Sequence, residues 1–291
     1  MRLSVQYDTS YHYSQPTRRV IQLLRVTPLS FAGQSVLDWR IDVDCDARLR
    51  EGRDGYGNAI HMLYVDGPID AVKVSVTGKV LTEDRAGVVG GLPDDLPPQV
   101  FLRPTSLTEA GRPLHDLAAA LVAQGGADLD KLHRLTAAIH SRMTFDTQRT
   151  GVDTPATEAY AEGHGVCQDF AHIFIAVARS IHIPARYISG HLFRRDGAVV
   201  QEAAHAWAEA WVEHLGWVAF DPSNGICTDD AYIRVAAGLD YRDSAPFAGA
   251  RNGGGREELK VEVQVRQADA QNQSQSQSRS RRSQSQSQSQ N

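Results

Sequence analysis

Residues 163–174 read GHGVCQDFAHIF, which sets Cys167 between two permissive glycines and a run of helix-forming apolar residues. A cysteine in that place can be a nucleophile, a metal ligand, half of a disulfide or a small buried hydrophobe. At the N-terminus of a buried helix, unpaired amides and the helix dipole favour negative charge, and therefore thiolate over thiol. Gly163 and Gly165 let the preceding turn bring the sulfur to the helix tip. A core cysteine needs neither feature, although position alone leaves the structural reading open.

Acyl transfer by a thiol needs a base that can form an imidazolium beside the thiolate, and a third group that fixes the ring tautomer. His205 opens a strand after the helix and Asp221 ends the next one. A helix bearing the nucleophile, packed on a sheet bearing base and orienter, would let the three side chains converge. Strand register sets a condition on this. Cross-strand partners in an antiparallel hairpin have a constant index sum, so a turn centred between His214 and Leu215 would pair Asp221 with Ala208 and send His205 to the opposite face. His205 and Asp221 share a face only if the turn centres on a residue, or if a β-bulge falls within EAWVEHLGW.

Metal binding is the sharpest rival. His164, Cys167, Asp169 and His172 could supply ligands, but their spacing matches no compact CxxC or HExxH pattern. Position 172 lies five residues past the cysteine, turned well away from it on a helix. His172 reads as a packing histidine, and no metal or cofactor is expected. Asp169 reads as an N-terminal charge complementing the helix dipole. Trp207, Trp211 and Trp217 read as strand aromatics, one of which could dry the site. Cys45 and Cys227 have no neighbouring His or basic cluster, and Gly57 with Asn58 reads as turn chemistry.

The elements that must position these residues fall into two sets. Residues 1–95 read as strands (RLSVQY, RVIQLLRV, VLDWRIDVD, AIHMLYV, VKVSVTGKVL) with RDGYGN as a hairpin turn, and are expected to form an N-terminal β-sandwich domain. The Pro-rich stretch GLPDDLPPQVFLRP marks the boundary. From Arg112 the apolar period becomes 3.6, giving two helices in PLHDLAAALVA and DLDKLHRLTAAIHSRM, with Asp128 or Asp130 as N-terminal cap. DFAHIFIAVARS is apolar almost all round and reads as a buried central helix stopped by Pro184. ARYISGHLF and HAWAEAWVEHLGWVAFD read as strands. Ala206, Ala208 and Ala210 make one thin face, suited to close packing on the helix. EELKVEVQVR gives a last strand, so the catalytic core spans 96–267. Residues 268–291 form a polar Ser/Gln-rich segment expected to be disordered.

Composition narrows the function classes. The chain has 291 residues, 42% of them hydrophobic, and a net charge of −5 with both signs interspersed. That balance offers no nucleic-acid or membrane-surface partner, and a small-molecule or protein substrate is the better default. The first residues lack the apolar stretch of a signal peptide, and no window offers a spanning helix. A soluble cytoplasmic protein is expected. Three cysteines make a poor disulfide framework, and a reducing compartment would leave all of them as thiols.

GVCQDFAHIFIAVARSIHIPARYISGHL together with HAWAEAWVEHLGWVAFDPSNG resembles the core of the bacterial transglutaminase-like superfamily, in its transglutaminase-like cysteine peptidase branch. YDTSYHYSQPTRRVIQLLRVTP and DGYGN are similar to that branch's N-terminal β-domain, and IRVAAGLDYRDSAPFAGA to its C-terminal segment. The resemblance implies an α+β fold whose core has a central helix packed on an antiparallel sheet, in a papain-like chain order. It also implies a Cys–His–Asp triad: Cys167 as nucleophile, His205 as base and then acid, Asp221 as orienter. The thioester pathway that follows would use the backbone N–H of Cys167 in the oxyanion hole. No glutamine precedes the cysteine in ATEAYAEGHG, so the second donor stays open, with Tyr160 and Gln168 as candidates. Peptide or amide hydrolysis is the expected reaction, on a peptide or protein substrate. Protein-glutamine transamidation and a non-catalytic scaffold with a vestigial triad are the alternatives.

Overall fold

A computed structural model describes residues 1–92 and 96–268. The expectation of disorder for the C-terminal segment therefore falls, beyond Ala268, outside the described residues.

The chain opens with β1 (Arg2–Leu24), β2 (Gln34–Val43), β3 (Arg48–Arg53) and β4 (Ala59–Thr82). Segments that read as separate strands are joined: RLSVQY and RVIQLLRV lie in one 23-residue strand, and AIHMLYV and VKVSVTGKVL in one 24-residue strand. The pairing of β1 with β4 slips between His12 and Thr17 and again between Thr17 and Arg19, so both strands bend there while the ladder continues. Along β1 the residues Leu3, Val5, Tyr7, Tyr11 and Tyr13 are buried in strict alternation, the period of a sheet with one covered face.

A short strand β5 (Val88–Val89) leads to α1 (Arg112–Ala123) and α2 (Asp128–Arg142). The cap of α2 is Ala127 and not either expected aspartate; Asp128 and Asp130 sit in the first turn, and Asp130 accepts from the amide of Ala127, 3.2 Å away. Then come β6 (Thr144–Phe145), α3 (Ala156–Glu162), β7 (His164–Gly165) and α4 (Cys167–Ser180). Helix α4 is buried from Gln168 to Arg179, as its unbroken apolar circumference requires. The remaining elements are β8 (Ala185–Leu192), β9 (Val200–Gln201), β10 (His205–Val212), β11 (Gly216–Asp221), β12 (Ile226–Cys227), β13 (Tyr232–Gly238), α5 (Tyr241–Ser244), β14 (Phe247–Asn252) and β15 (Glu257–Gln267).

These strands make two large antiparallel sheets. One has six strands in the order β12-β11-β10-β8-β13, with β5 added on β11. Its thin face, Ala206, Ala208 and Ala210, shares a core with Phe170, Phe174 and Val177 of α4 and with α1 and α2. The other has seven strands in the order β2-β4-β1-β15-β9, with β14 on β1 and β3 on β4. Its covered face shares a core with Ile233, Val235 and Ala236 of β13. The molecule is thus layered as helices, six-stranded sheet and N-terminal sheet.

The β-sandwich expected within 1–95 is built from one bent sheet folded on itself: Phe247 of β14, paired with Leu24 at the end of β1, packs against Tyr7 and Tyr11 of its first half in a shared core. One expectation needs correction. The last strand does not belong to a self-contained 96–267 core: β15 pairs with β1 from Tyr13↔Glu257 to Leu3↔Gln267. An exposed strand edge on β1 is satisfied this way by residues far along the chain. Side chains also stitch the layers. Gln34 exchanges two hydrogen bonds with the backbone of Arg234 (2.9 and 2.8 Å), and Asn58 does the same with Ala237 (2.7 and 2.8 Å). Buried Glu209 binds the guanidinium groups of Arg186 at 2.6 Å and Arg234 at 2.8 Å, so the charges at this junction are paired.

Candidate active site

Cys167 is the first residue of α4 and is partly exposed, at the point where the sequence places the nucleophile. The turn before it is built by glycines with different tasks. Gly163 adopts φ +76° and closes α3. Gly165 instead provides close approach: a Cβ there would lie 2.6 Å from Asp169 Oδ2 and 2.7 Å from Asp169 Cβ. Asp169 uses that space to cap its own helix. Its Oδ2 accepts from the Val166 amide at 2.8 Å and from Thr150 Oγ1 at 2.6 Å. Burial pushes the Asp169 carboxyl above its ordinary value, in opposition to these donors.

The hairpin β10–β11 pairs Ala208 with Phe220 and Val212 with Gly216, so it turns on His214, which adopts φ +70°. The turn centres on a residue, the condition under which His205 and Asp221 share a face. They do: His205 Nε2 lies 2.7 Å from Asp221 Oδ2. Nδ1 is left free of Asp221, and Cys167 lies near enough to act on the imidazole electrostatically. Burial alone would lower the pKa of the imidazole; the charge and hydrogen bond of Asp221 override it, the Cys167 contact adds to them, and the net direction is up.

Asp221 is fully buried yet saturated with donors. Oδ1 accepts from the Ser223 amide (2.9 Å), Ser223 Oγ (2.6 Å) and the Asn224 amide (3.2 Å). Oδ2 accepts from His205, from Asn224 Nδ2 (2.6 Å) and from the Tyr232 hydroxyl (2.8 Å). Burial would raise the Asp221 pKa, but the His205 charge and these donors hold it well below the usual carboxylate range. Trp207 stacks beside the imidazole, ring centroids 6.2 Å apart, and Tyr232 flanks it at 5.9 Å. Trp207 therefore covers the histidine, whereas Trp211 and Trp217 pack on each other at 5.5 Å.

The remaining sequence candidates have other partners. His172 is buried, and its Nε2 accepts from the Tyr241 amide at 3.1 Å; burial, then the charges of Arg179 and Arg242, push its pKa down to about 3, so it stays neutral. His164 lies 4.0 Å from Asp146. Gln168 donates its side-chain amide to the Val152 carbonyl at 3.0 Å, and the Tyr160 ring lies under the Arg142 guanidinium at 4.5 Å. The Gln168 side-chain amide is thus engaged elsewhere. Burial raises the thiols of Cys45 and Cys227, the latter to about 11, while Asp44 and Asp46 add to the effect at Cys45.

Sequence reading missed Ser223, Asn224 and Tyr232. Ser and Asn two and three residues after an aspartate form a recognisable turn that caps its carboxylate, so PSNG held a signal. Tyr232 had none, because it reaches Asp221 from another strand. Asn58, read as turn chemistry, also does more. It holds the N-terminal sheet to β13, while the neighbouring Tyr56 hydroxyl donates to Asp243 Oδ2 at 2.6 Å.

A helix-tip cysteine, a strand-borne His–Asp pair and a fused N-terminal sheet define a transglutaminase-like protein. Residues 115–222 match the transglutaminase-like superfamily core, and residues 3–81 match the bacterial transglutaminase-like N-terminal region. The chain is 30% identical over 279 residues to uncharacterized protein ML0607 of Mycobacterium leprae, covering 89% of this chain and 96% of that one. It is 28% identical over 275 residues to uncharacterized protein Rv2569c of Mycobacterium tuberculosis, covering 85% and 87%. The crystal structure of a candidate cysteine protease from Cytophaga hutchinsonii superposes with a TM-score of 0.75 at 23% identity, covering 93% of this chain and 91% of that one, and shares the fold. The chain belongs to the bacterial transglutaminase-like superfamily.

Proposed function

We propose that this protein is a cysteine-dependent acyl-transfer enzyme that hydrolyses peptide or amide bonds through Cys167, His205 and Asp221. The observation that carries the reading is the 2.7 Å contact from His205 Nε2 to Asp221 Oδ2, on an imidazole whose electrostatics also respond to Cys167 at the tip of α4. The Cys167 thiolate attacks the amide carbonyl carbon and forms a C–S bond, and the oxyanion takes the Cys167 backbone N–H. His205 gives its Nδ1 proton to the departing nitrogen as the C–N bond breaks. Water then loses a proton to Nδ1 and attacks the thioester, the C–S bond breaks, and the acid leaves. Asp221 fixes the ring orientation throughout and stays ionised.

Water is favoured as acceptor because it is present everywhere, and its exclusion would need a dedicated amine channel. The substrate is a peptide or protein. The three cysteines are free thiols, which fits a reducing compartment such as the cytoplasm. The test is digestion of a peptide library with and without an added primary amine, read by mass spectrometry. New carboxyl termini in both arms support hydrolysis. Products carrying the added amine, with no new carboxyl termini, would replace it with transamidation.

A further inference from the structure

Three donors meet on one oxygen of the orienting carboxylate. Asp221 Oδ2 accepts from His205 Nε2 at 2.7 Å, Asn224 Nδ2 at 2.6 Å and the Tyr232 hydroxyl at 2.8 Å. Tyr232 is buried, and its ring stands 5.9 Å from the imidazole and 5.4 Å, edge-on, from Trp207. A Tyr–Trp pair therefore packs together against one side of His205 while the phenol reaches the carboxylate. Burial and the adjacent Asp221 keep that phenol protonated and so a permanent donor.

We propose that Tyr232 is a positioning residue that shares the Asp221 acceptor with His205, fixing the imidazole and weakening the carboxylate's hold on the imidazolium proton. The inference rests on the acyl-transfer reading above, in which His205 must release a proton to the leaving nitrogen. An imidazolium bound to a bare buried carboxylate is a poor acid. A second donor on the same oxygen neutralises part of its charge, and the positive end of that O–H dipole lies beside the imidazolium. Both effects make the proton easier to give away, and a general acid works best when its pKa is not far above the working pH.

The experiment is an NMR titration of the His205 ring in the full chain, comparing wild type, Tyr232→Phe and a protein carrying 3-fluorotyrosine at position 232. Removal of the hydroxyl is expected to raise the His205 titration by about 0.5–1 pH unit. The more acidic fluorophenol, a stronger donor, is expected to lower it, which keeps the test open even if the phenylalanine variant folds poorly. A titration unmoved in both proteins, or displaced in the same direction in both, overturns the proposal. Acetylation of Cys167 by p-nitrophenyl acetate, whose leaving group departs without a proton, is measured alongside. If wild-type Cys167 resists acetylation, the acyl-transfer reading fails, while the titration still judges Tyr232.

Discussion

His205 and Asp221 face each other because a hairpin turns on a single residue, His214. The ladder from Ala208↔Phe220 to Val212↔Gly216 puts both side chains on one face of the six-stranded sheet and their atoms 2.7 Å apart. The His205–Asp221 geometry depends on the number of residues in that loop.

Insertion of one residue after His214 should therefore move Asp221 to the far face of its strand while leaving the sheet able to form. The expected result is a loss of acylation rate of about 10³–10⁴-fold, comparable to disabling the orienter of a triad. Far-ultraviolet circular dichroism should be near wild type. His214→Gly, which keeps the register at a positive φ, should retain activity.

The His–Asp pair also sets how stability depends on pH. Asp221 has a folded pKa below its unfolded value, so its contribution is present above about pH 4 and is lost as pH falls through the folded value. His205 is raised from 6.5 to about 10 by Asp221 and Cys167 against the opposing effect of burial. Its contribution is complete below about 6.5 and is lost as pH rises through 10. Urea titrations should give the highest unfolding free energy between about pH 4 and 6.5, with a decline of at most about 1.4 kcal/mol per pH unit above it. His205→Ala should flatten that alkaline slope.

Gly165→Ala should disturb Cys167 without touching it. The added methyl would overlap Asp169, which holds the Val166 amide and is itself held by Thr150. The expected outcome is a destabilisation of about 1–3 kcal/mol by overpacking, with slower alkylation of Cys167 in protein that still folds. Equal alkylation rates would show that the cap does not position the helix tip.

Asn58→Ala should uncouple the N-terminal sheet from the core. It leaves the buried N–H and C=O of Ala237 without the partners they have at 2.8 and 2.7 Å. A cost of about 1–3 kcal/mol is expected, read as a lower urea midpoint. Since β15 crosses from the core into the N-terminal sheet, the wild type should unfold in one transition.

Cys167, His205 and Asp221 stood out as candidates because their chemistry is local: a cysteine after two glycines, a histidine opening a strand, an aspartate ending one. Helix α4 was legible from its apolar circumference, and the thin face of β10 from three alternating alanines. Other features are set by contacts between distant parts of the chain. EAWVEHLGW permits two hairpin centres, and only the folded sheet selects His214. Gly67 and Pro68 look like a break, yet β4 continues through them because β1 bends in step. Nothing within EELKVEVQVR says that its partner is the first strand, or within AYIRV that Tyr232 will reach Asp221.

The most direct measurement of the central claim is to mix the protein with p-nitrophenyl acetate, quench it, and map the acetyl group by peptide mass spectrometry. Acetylation confined to Cys167 and lost in His205→Ala is the predicted result. Acetyl groups on Cys45 or Cys227 instead, or an unchanged rate at Cys167 when His205 is removed, would contradict it.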